Sequence, residues 1–314
     1  MSAPNILENA ICLSVTFRMP TNRRKVSTDY VKSDADQAML HLAKNLLDSE
    51  ELRGVQRVIS ETGQWLRQKC LPSPFKKGIY LISLNRVEEV NTKLTQVETV
   101  DFPEAVNNFF NVYPVRVAEA RERLGTGDLG LFDPSEYPEE ENLRPAFSMA
   151  FQYISMDVPG KLSNISKHFY EQQKEKIAAR METAAVKIEW TLYESMKEVL
   201  DHMVARLTPQ IGKGGKAKAI PKNSPIVDRM KEFLKDFSEN YALVKGASGE
   251  NGVAEKIETI LGKANKILDG VDVERLRGDE ALRDEVQKGF SQFKETLDSI
   301  LVNKPVRAIS FEDE

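Results

Sequence analysis

The sequence predicts an α+β protein that is predominantly α-helical, with a small antiparallel sheet and one extended helix of nearly fifty residues. Two distant segments, residues 11–19 and 147–153, alternate apolar and polar side chains with the period of a β-strand. Much of the rest places apolar residues three or four apart, as on one face of a helix. Residues 161–207 contain no proline or glycine, so a single helix of about 70 Å is expected over residues 160–207.

The two alternating segments are expected to pair, because an isolated strand cannot satisfy its own backbone groups. In the first, one side carries Ile11, Leu13, Val15, Phe17 and Met19, and the other carries Cys12, Ser14, Thr16 and Arg18. The second alternates Phe147, Met149, Phe151 and Tyr153 with Ser148, Ala150 and Gln152. Residues 21–25 (TNRRK) predict a polar turn, and residues 79–84 (IYLISL) predict either a third strand or the start of a helix.

Helical spacing predicts four helices between the strands. A helix capped by Asp34 or Asp36 carries apolar residues from Met39 to Leu47, and the others cover residues 50–69, 86–100 and 103–124. Pro114 is expected to kink the last of these, and Gly125 to end it. In the long helix most apolar steps are four residues, which differs from the alternating threes and fours of a coiled coil. We therefore expect it to pack against helices of its own chain or of a second copy.

Five parts are predicted along the chain. They are a strand-containing helical module (1–159), a long connecting helix (160–208), a Lys/Gly-rich linker (209–224), a C-terminal helical region (225–303) and a tail (304–314). Ser224 and Pro225 form a helix start signal, with Ser224 as N-cap. Helices are then expected over residues 226–241, 252–268 and 279–302.

Composition indicates a cytoplasmic protein without a transmembrane segment. No apolar run approaches the ~20 residues that span a bilayer, and the start lacks the pattern of a secretory signal. Cys12 and Cys70 are the two cysteines, which we interpret as reduced thiols. With 44 basic and 48 acidic residues, the net charge of −4 disfavours a dedicated nucleic-acid binder.

No catalytic motif is present, so neither an enzyme nor a cofactor or metal site is expected. His41, His168 and His202 fall on predicted helices, away from both cysteines and without the HExxH spacing, and are interpreted as structural. Residues 212–216 (GKGGK) resemble a phosphate-binding loop. They lack the Ser or Thr after the Lys and the preceding strand, so a flexible linker is favoured.

Two segments are candidate contact surfaces. Lys213, Lys216, Lys218 and Lys222 lie in the linker and would contact nucleic acid, acidic lipid or a partner, or simply keep the linker solvated. The proline-rich acidic loop carries Phe132, Tyr137, Glu139, Glu140 and Glu141. It would bind a metal or a basic partner surface, but a solvated loop is favoured, because metal sites need ligands at fixed separations rather than a run of glutamates. The aromatic rings beside the carboxylates slightly favour a partner-docking loop.

Four segments carry a family resemblance: residues 10–19 (AICLSVTFRM), 66–82 (LRQKCLPSPFKKGIYLI), 132–138 (FDPSEYP) and 145–156 (PAFSMAFQYISM). With them, roughly the first two thirds of the chain resembles a bacterial and phage family known as domain of unknown function 3150. Its members are often found beside a MoxR-type AAA+ ATPase and a von Willebrand factor A-type protein. The resemblance implies an accessory or substrate role in an ATPase-driven remodelling system and no catalytic residues.

The function expected from these features is that of a non-enzymatic scaffold or interaction protein, oligomeric and cytoplasmic, working with such an ATPase. One alternative is a phage or mobile-element protein that contacts nucleic acid through the basic linker. A second is a membrane-associated helical protein, although Gln172, Gln173, Lys174 and Lys176 dilute the apolar stripe that it would need.

Overall fold

The computed structural model describes residues 9–27, 30, 36, 39–73, 76, 78–127, 130–155, 158–207, 220–250 and 252–302. The strands are β1 (Ala10–Arg18), β2 (Arg23–Lys25), β3 (Ala43–Asn45), β4 (Leu71–Pro72), β5 (Ile79–Ser83) and β6 (Ser148–Ile154). The helices are α1 (Glu50–Lys69), α2 (Val87–Gln96), α3 (Phe102–Leu124), α4 (Glu140–Leu143), α5 (Lys161–Ile165), α6 (Lys167–Leu207), α7 (Ile226–Val244), α8 (Val253–Leu268), α9 (Val273–Gly278) and α10 (Glu280–Leu301). The predicted helix-dominated α+β class is confirmed.

The main sheet has the strand order β4-β5-β1-β6 and is antiparallel throughout. The predicted pairing of the two alternating segments is confirmed, since β1 pairs with β6 and Val15 lies opposite Phe151. On its other side β1 pairs with β5, with Leu13 opposite Tyr80. The predicted segment therefore forms the strand Ile79–Ser83, and the 3₁₀ turn Leu84–Arg86 then leads into α2.

The sheet separates two hydrophobic cores. The N-terminal core joins Leu13 and Ile82 on one face to Val55 of α1 and Phe109 of α3. The C-terminal core joins the other face to helices α6 to α10, and Cys12 in β1 is 3% exposed there. The alternation of apolar and polar side chains in β1 predicts a strand with one buried face. That prediction is wrong at the start of β1, because the C-terminal helices cover the second face there.

The long helix is shorter than predicted, because Ser166 interrupts the helical backbone. This residue has an extended backbone (φ −161°, ψ 119°) and separates α5 from the 41-residue α6. Its Oγ accepts a hydrogen bond from the Phe169 N–H at 3.2 Å, so Ser166 caps the N-terminus of α6. At about 1.5 Å per residue, α6 is roughly 62 Å long. None of the described helices combines the length and apolarity that a membrane span needs.

Three local predictions were wrong. Residues Arg23–Lys25 of the predicted polar turn and Ala43–Asn45 of the helix predicted up to Leu47 instead form the strands β2 and β3. The Asn22 side chain explains this pairing, since its amide donates to the Leu47 carbonyl (2.7 Å) and accepts from the Leu47 N–H (2.8 Å). Ser224 does not cap α7, which starts at Ile226 after Pro225 without a side-chain cap.

Two predicted helices join into one run. The helices expected at residues 86–100 and 103–124 are α2 and α3, which the π-helical turn Val97–Asp101 connects. Pro114 lies inside α3, and Gly125 ends it with a positive φ of 72°. A residue with a β-carbon is strained at that dihedral angle, which explains glycine there.

Candidate functional site

The acidic loop separates its aromatic residues from its carboxylates. Phe132 and Tyr137 stack with ring centroids 4.8 Å apart and pack against the N-terminal core. The Tyr137 hydroxyl donates to the Leu46 carbonyl at 2.9 Å. Glu139, Glu140 and Glu141 are exposed. The loop therefore exposes its carboxylates to a partner, while its aromatic rings pack against the N-terminal core and are not part of a docking surface.

The basic linker contributes one described lysine. Lys222 is exposed in the turn before α7, whereas Lys213, Lys216 and Lys218 lie outside the described residues.

The groups that most often serve catalysis are dispersed. His41, His168 and His202 are exposed, and His202 Nε2 accepts a hydrogen bond from Arg206 Nε at 3.3 Å. Cys12 and Cys70 are buried free thiols, and burial raises the pKa of Cys70 to about 12. The described residues contain no group of three His, Cys, Asp or Glu side chains that could hold a metal ion.

Residues 161–176, which comprise α5 and the first ten residues of α6, form a segment that we call the arm. Val158, which precedes the arm, is buried, and Ile177, which follows it, packs against the C-terminal core. Within the described structure no arm residue is buried and none packs onto either core. Ile165 is 79% exposed and Phe169 is 43% exposed. The arm also carries Lys161, Lys167, Lys174 and Lys176 against Glu171 and Glu175.

A buried ion cluster ties the two halves of the protein together. Lys69, at the end of α1, donates to Asp236 of α7 at 2.9 Å and to Glu232 at 3.0 Å. Arg86, which precedes α2, donates to the same Asp236 at 2.7 Å. Burial lowers the pKa of Lys69, but its hydrogen bonds to Asp236 and Glu232 outweigh this effect and raise the pKa overall. The cluster thereby fixes α7 against α1 and against the turn after β5.

Beside this cluster lies a cleft of about 790 Å³ between α1, β4, α6 and α7. Its walls include the apolar side chains of Leu71, Ile188 and Phe233. Its polar lining includes Asn240, which is 4% exposed and whose Nδ2 donates to the Gln68 carbonyl at 3.2 Å.

The residues of this cleft were missed in the sequence because the fold assembles them from distant segments. Gln68 and Asn240 are 172 positions apart, and Lys69 and Asp236 are 167 apart. One signal was present: Asp236 and Asn240 are four residues apart, next to Phe237 and Tyr241 in the apolar stripe of α7. Such a spacing puts both polar side chains on one face of a helix, close to the buried side.

Comparison of the chain with protein-family models, with curated proteins and with solved structures finds no match.

Proposed function

We propose that this chain is a non-enzymatic interaction protein of bacterial or phage origin that serves as an accessory component of a MoxR-type AAA+ ATPase system. The main support for the proposal is that the arm exposes large apolar side chains. The resemblance of the N-terminal two thirds to domain of unknown function 3150 supports the choice of partner.

The arm combines exposed apolar side chains with charged ones. Exposed apolar side chains that form a patch rimmed by polar residues mark sites of protein interaction. Ile165 and Phe169 are such side chains, and four lysines surround them in the sequence. The chain as a whole carries a net charge of −4, so the arm differs in charge from the average surface. A partner with an apolar pocket and an acidic rim fits it best.

Co-purification with the ATPase tests this proposal. Tagged full-length chain is mixed with a purified MoxR-type ATPase and with the von Willebrand factor A-type protein, and the bound fraction is measured. The double variant Ile165→Asp, Phe169→Asp is expected to lose binding while keeping its thermal stability, because neither side chain is buried. Val115→Asp is the matched control, since Val115 is 58% exposed on α3.

Two results would contradict the proposal: no ATPase bound to the unmodified chain, or equal binding by the double variant. Light scattering then distinguishes a homo-oligomer, in which the arm meets a second copy. The nucleic-acid alternative predicts affinity that falls steeply with salt and weakens when Lys213, Lys216, Lys218 and Lys222 become alanine. The membrane alternative predicts flotation with liposomes.

A further inference from the structure

Asn240, which lines the cleft, carries a buried acceptor that no described residue pairs. The Asn240 amide is oriented by its Nδ2 donation to the Gln68 carbonyl, because the flipped amide would set two oxygens against each other. Its Oδ1 is buried and accepts no hydrogen bond from a described residue. Since buried side-chain acceptors are nearly always hydrogen-bonded, Asn240 is suited to receive an N–H or O–H of a ligand.

Three positively charged side chains of the cleft have no ion-pair partner among the described residues, whereas its two carboxylates form ion pairs within the protein. Arg67, Lys187 and Arg229 line the cleft, are exposed, and form no salt bridge with a described residue. Glu232 and Asp236 also line it, but both bind Lys69, and Asp236 also binds Arg86. The charge that remains for a ligand is therefore positive, which suits a phosphate or carboxylate group.

The cleft also has an aromatic wall and the size of a small-molecule site. Phe233 is half-buried and lines the cleft together with Phe237 of the same helix. Aromatic rings of this kind stack on the bases of nucleotides. The volume of about 790 Å³ falls within the range of ligand sites, roughly 300–1,000 Å³.

We propose that this cleft binds a nucleotide. The base lies against Phe233 and donates a hydrogen bond to Asn240 Oδ1, and the phosphates are held by Arg67, Lys187 and Arg229. A nucleotide is the class of ligand that combines these three features: a flat aromatic ring, a ring or amino N–H donor, and several negative charges. The proposal does not rest on the ATPase partner or on the arm.

Isothermal titration calorimetry on the full chain tests it. The probes are ATP and GTP, with adenosine and inorganic tripolyphosphate as the two half-ligands, in magnesium-free buffer so that the phosphates meet the protein's own cations. We expect at least one nucleotide to bind, and each half-ligand to bind at least about tenfold more weakly, because each satisfies only part of the site. No heat of binding with either nucleotide at millimolar concentration overturns the proposal. Tripolyphosphate binding as tightly as ATP also overturns it, since the cleft is then a general anion site.

Variants locate the site. Arg67→Ala and Arg229→Ala are each expected to weaken nucleotide binding about tenfold, because each removes a charged hydrogen-bond donor to phosphate. The matched control is Lys235→Ala, on the same helix as Arg229 and exposed, but not lining the cleft. Equal weakening by the control would mean nonspecific charge attraction and would contradict the assignment.

Phe233→Leu and Asn240→Ala distinguish the contribution of the base to binding from that of the phosphates. Both are expected to weaken ATP binding and to leave tripolyphosphate binding unchanged. Asn240 is buried, so Asn240→Ala is compared only if its unfolding temperature stays near that of the unmodified chain, and Phe233→Leu gives the same answer otherwise. Unchanged ATP affinity in Phe233→Leu would contradict the placement of the base.

Discussion

The two parts of α6 share one continuous backbone but have opposite environments. None of the first fourteen residues of the helix is buried, whereas from Met181 onward buried residues recur to its end at Leu207. Helix α10 lies along the second part, with ion pairs from Lys197 to Asp298 and from Lys294 to Asp201. The two parts show that one continuous helix can be packed against a core over some of its turns and exposed to solvent over others.

The difference in packing matters because tertiary contacts supply most of the stability of a helix. Isolated helices of about 12–15 residues are only marginally stable in water, and packing of an apolar face supplies most of the rest. The buried part has that packing on α7 and α10, whereas Ile177 is the one described residue of the first fourteen that packs against a hydrophobic core. We therefore expect the two parts to respond very differently to perturbation.

The largest difference is expected in amide hydrogen exchange. Amides of residues 170–176 should open with free energies of roughly 0–2 kcal/mol, because none of these residues is buried or packs against either described core. Those of residues 188–204 should approach the global unfolding free energy, on the order of 5–15 kcal/mol. Native-state exchange followed by mass spectrometry measures both. Equal protection in the two parts would show that the arm is packed in solution, and would favour a second copy as its partner.

A pair of truncations to alanine tests the same contrast. Leu200 is 2% exposed in the C-terminal core, so Leu200→Ala should lower the unfolding free energy by about 2–5 kcal/mol through lost burial and a cavity. Ile165→Ala in the arm should change it by less than about 0.5 kcal/mol. Urea denaturation of both variants measures the values. If Ile165→Ala lowered the unfolding free energy by more than about 1 kcal/mol, roughly twice the effect of an ordinary surface substitution, the arm would have to be packed against other residues.

Much of this architecture was readable in the sequence, where the determinant is a local pattern. The period of β1 and β6 predicted their pairing, and helical spacing placed α1 at the residues where it occurs. Where the determinant is a long-range contact, the prediction failed. The short strands β2 and β3 depend on Asn22 binding the backbone of Leu47, 25 residues away, and three-residue strands show no period of their own.

The candidate sites divide in the same way. The arm lies within the predicted long helix, and the weak apolar stripe at Gln172 and Gln173 was already visible there. The break at Ser166 was missed because a serine inside a helical pattern gives no sign of whether its side chain caps or points to solvent. The cleft could not be predicted, since Arg67, Lys187 and Arg229 come from three helices and meet only in the folded chain.

A buried carboxylate on α6 offers a finer test of the contrast. Glu189 is fully buried and accepts hydrogen bonds from the Tyr193 hydroxyl at 2.7 Å and from the N–H groups of Gly246 and Ser248 at 2.8 and 2.7 Å. Glu189→Gln replaces one accepting oxygen by a donor, so a loss of about 1–3 kcal/mol is expected.

Glu175→Gln is the matched control for this substitution, because Glu175 lies on the same helix and is exposed. Its expected effect is within about 0.5 kcal/mol. Thermal unfolding at fixed pH measures both variants. If Glu189→Gln proved neutral, the loop after α7 would not depend on this carboxylate.

The smallest effect is expected at the junction between α5 and α6. Ser166→Ala removes the Oγ that accepts from the Phe169 N–H, and losing an N-cap costs about 0.5–2 kcal/mol of helix stability. Because the arm contributes no buried residue, that cost should appear as faster exchange in the first turns of α6, while the global unfolding temperature stays unchanged. Ser166→Asp, which keeps a capping oxygen and places a negative charge at the helix N-terminus, should restore protection. A fall in the global unfolding temperature of Ser166→Ala would mean that the arm unfolds together with the core, so that the two parts of α6 form one cooperative unit despite their different packing.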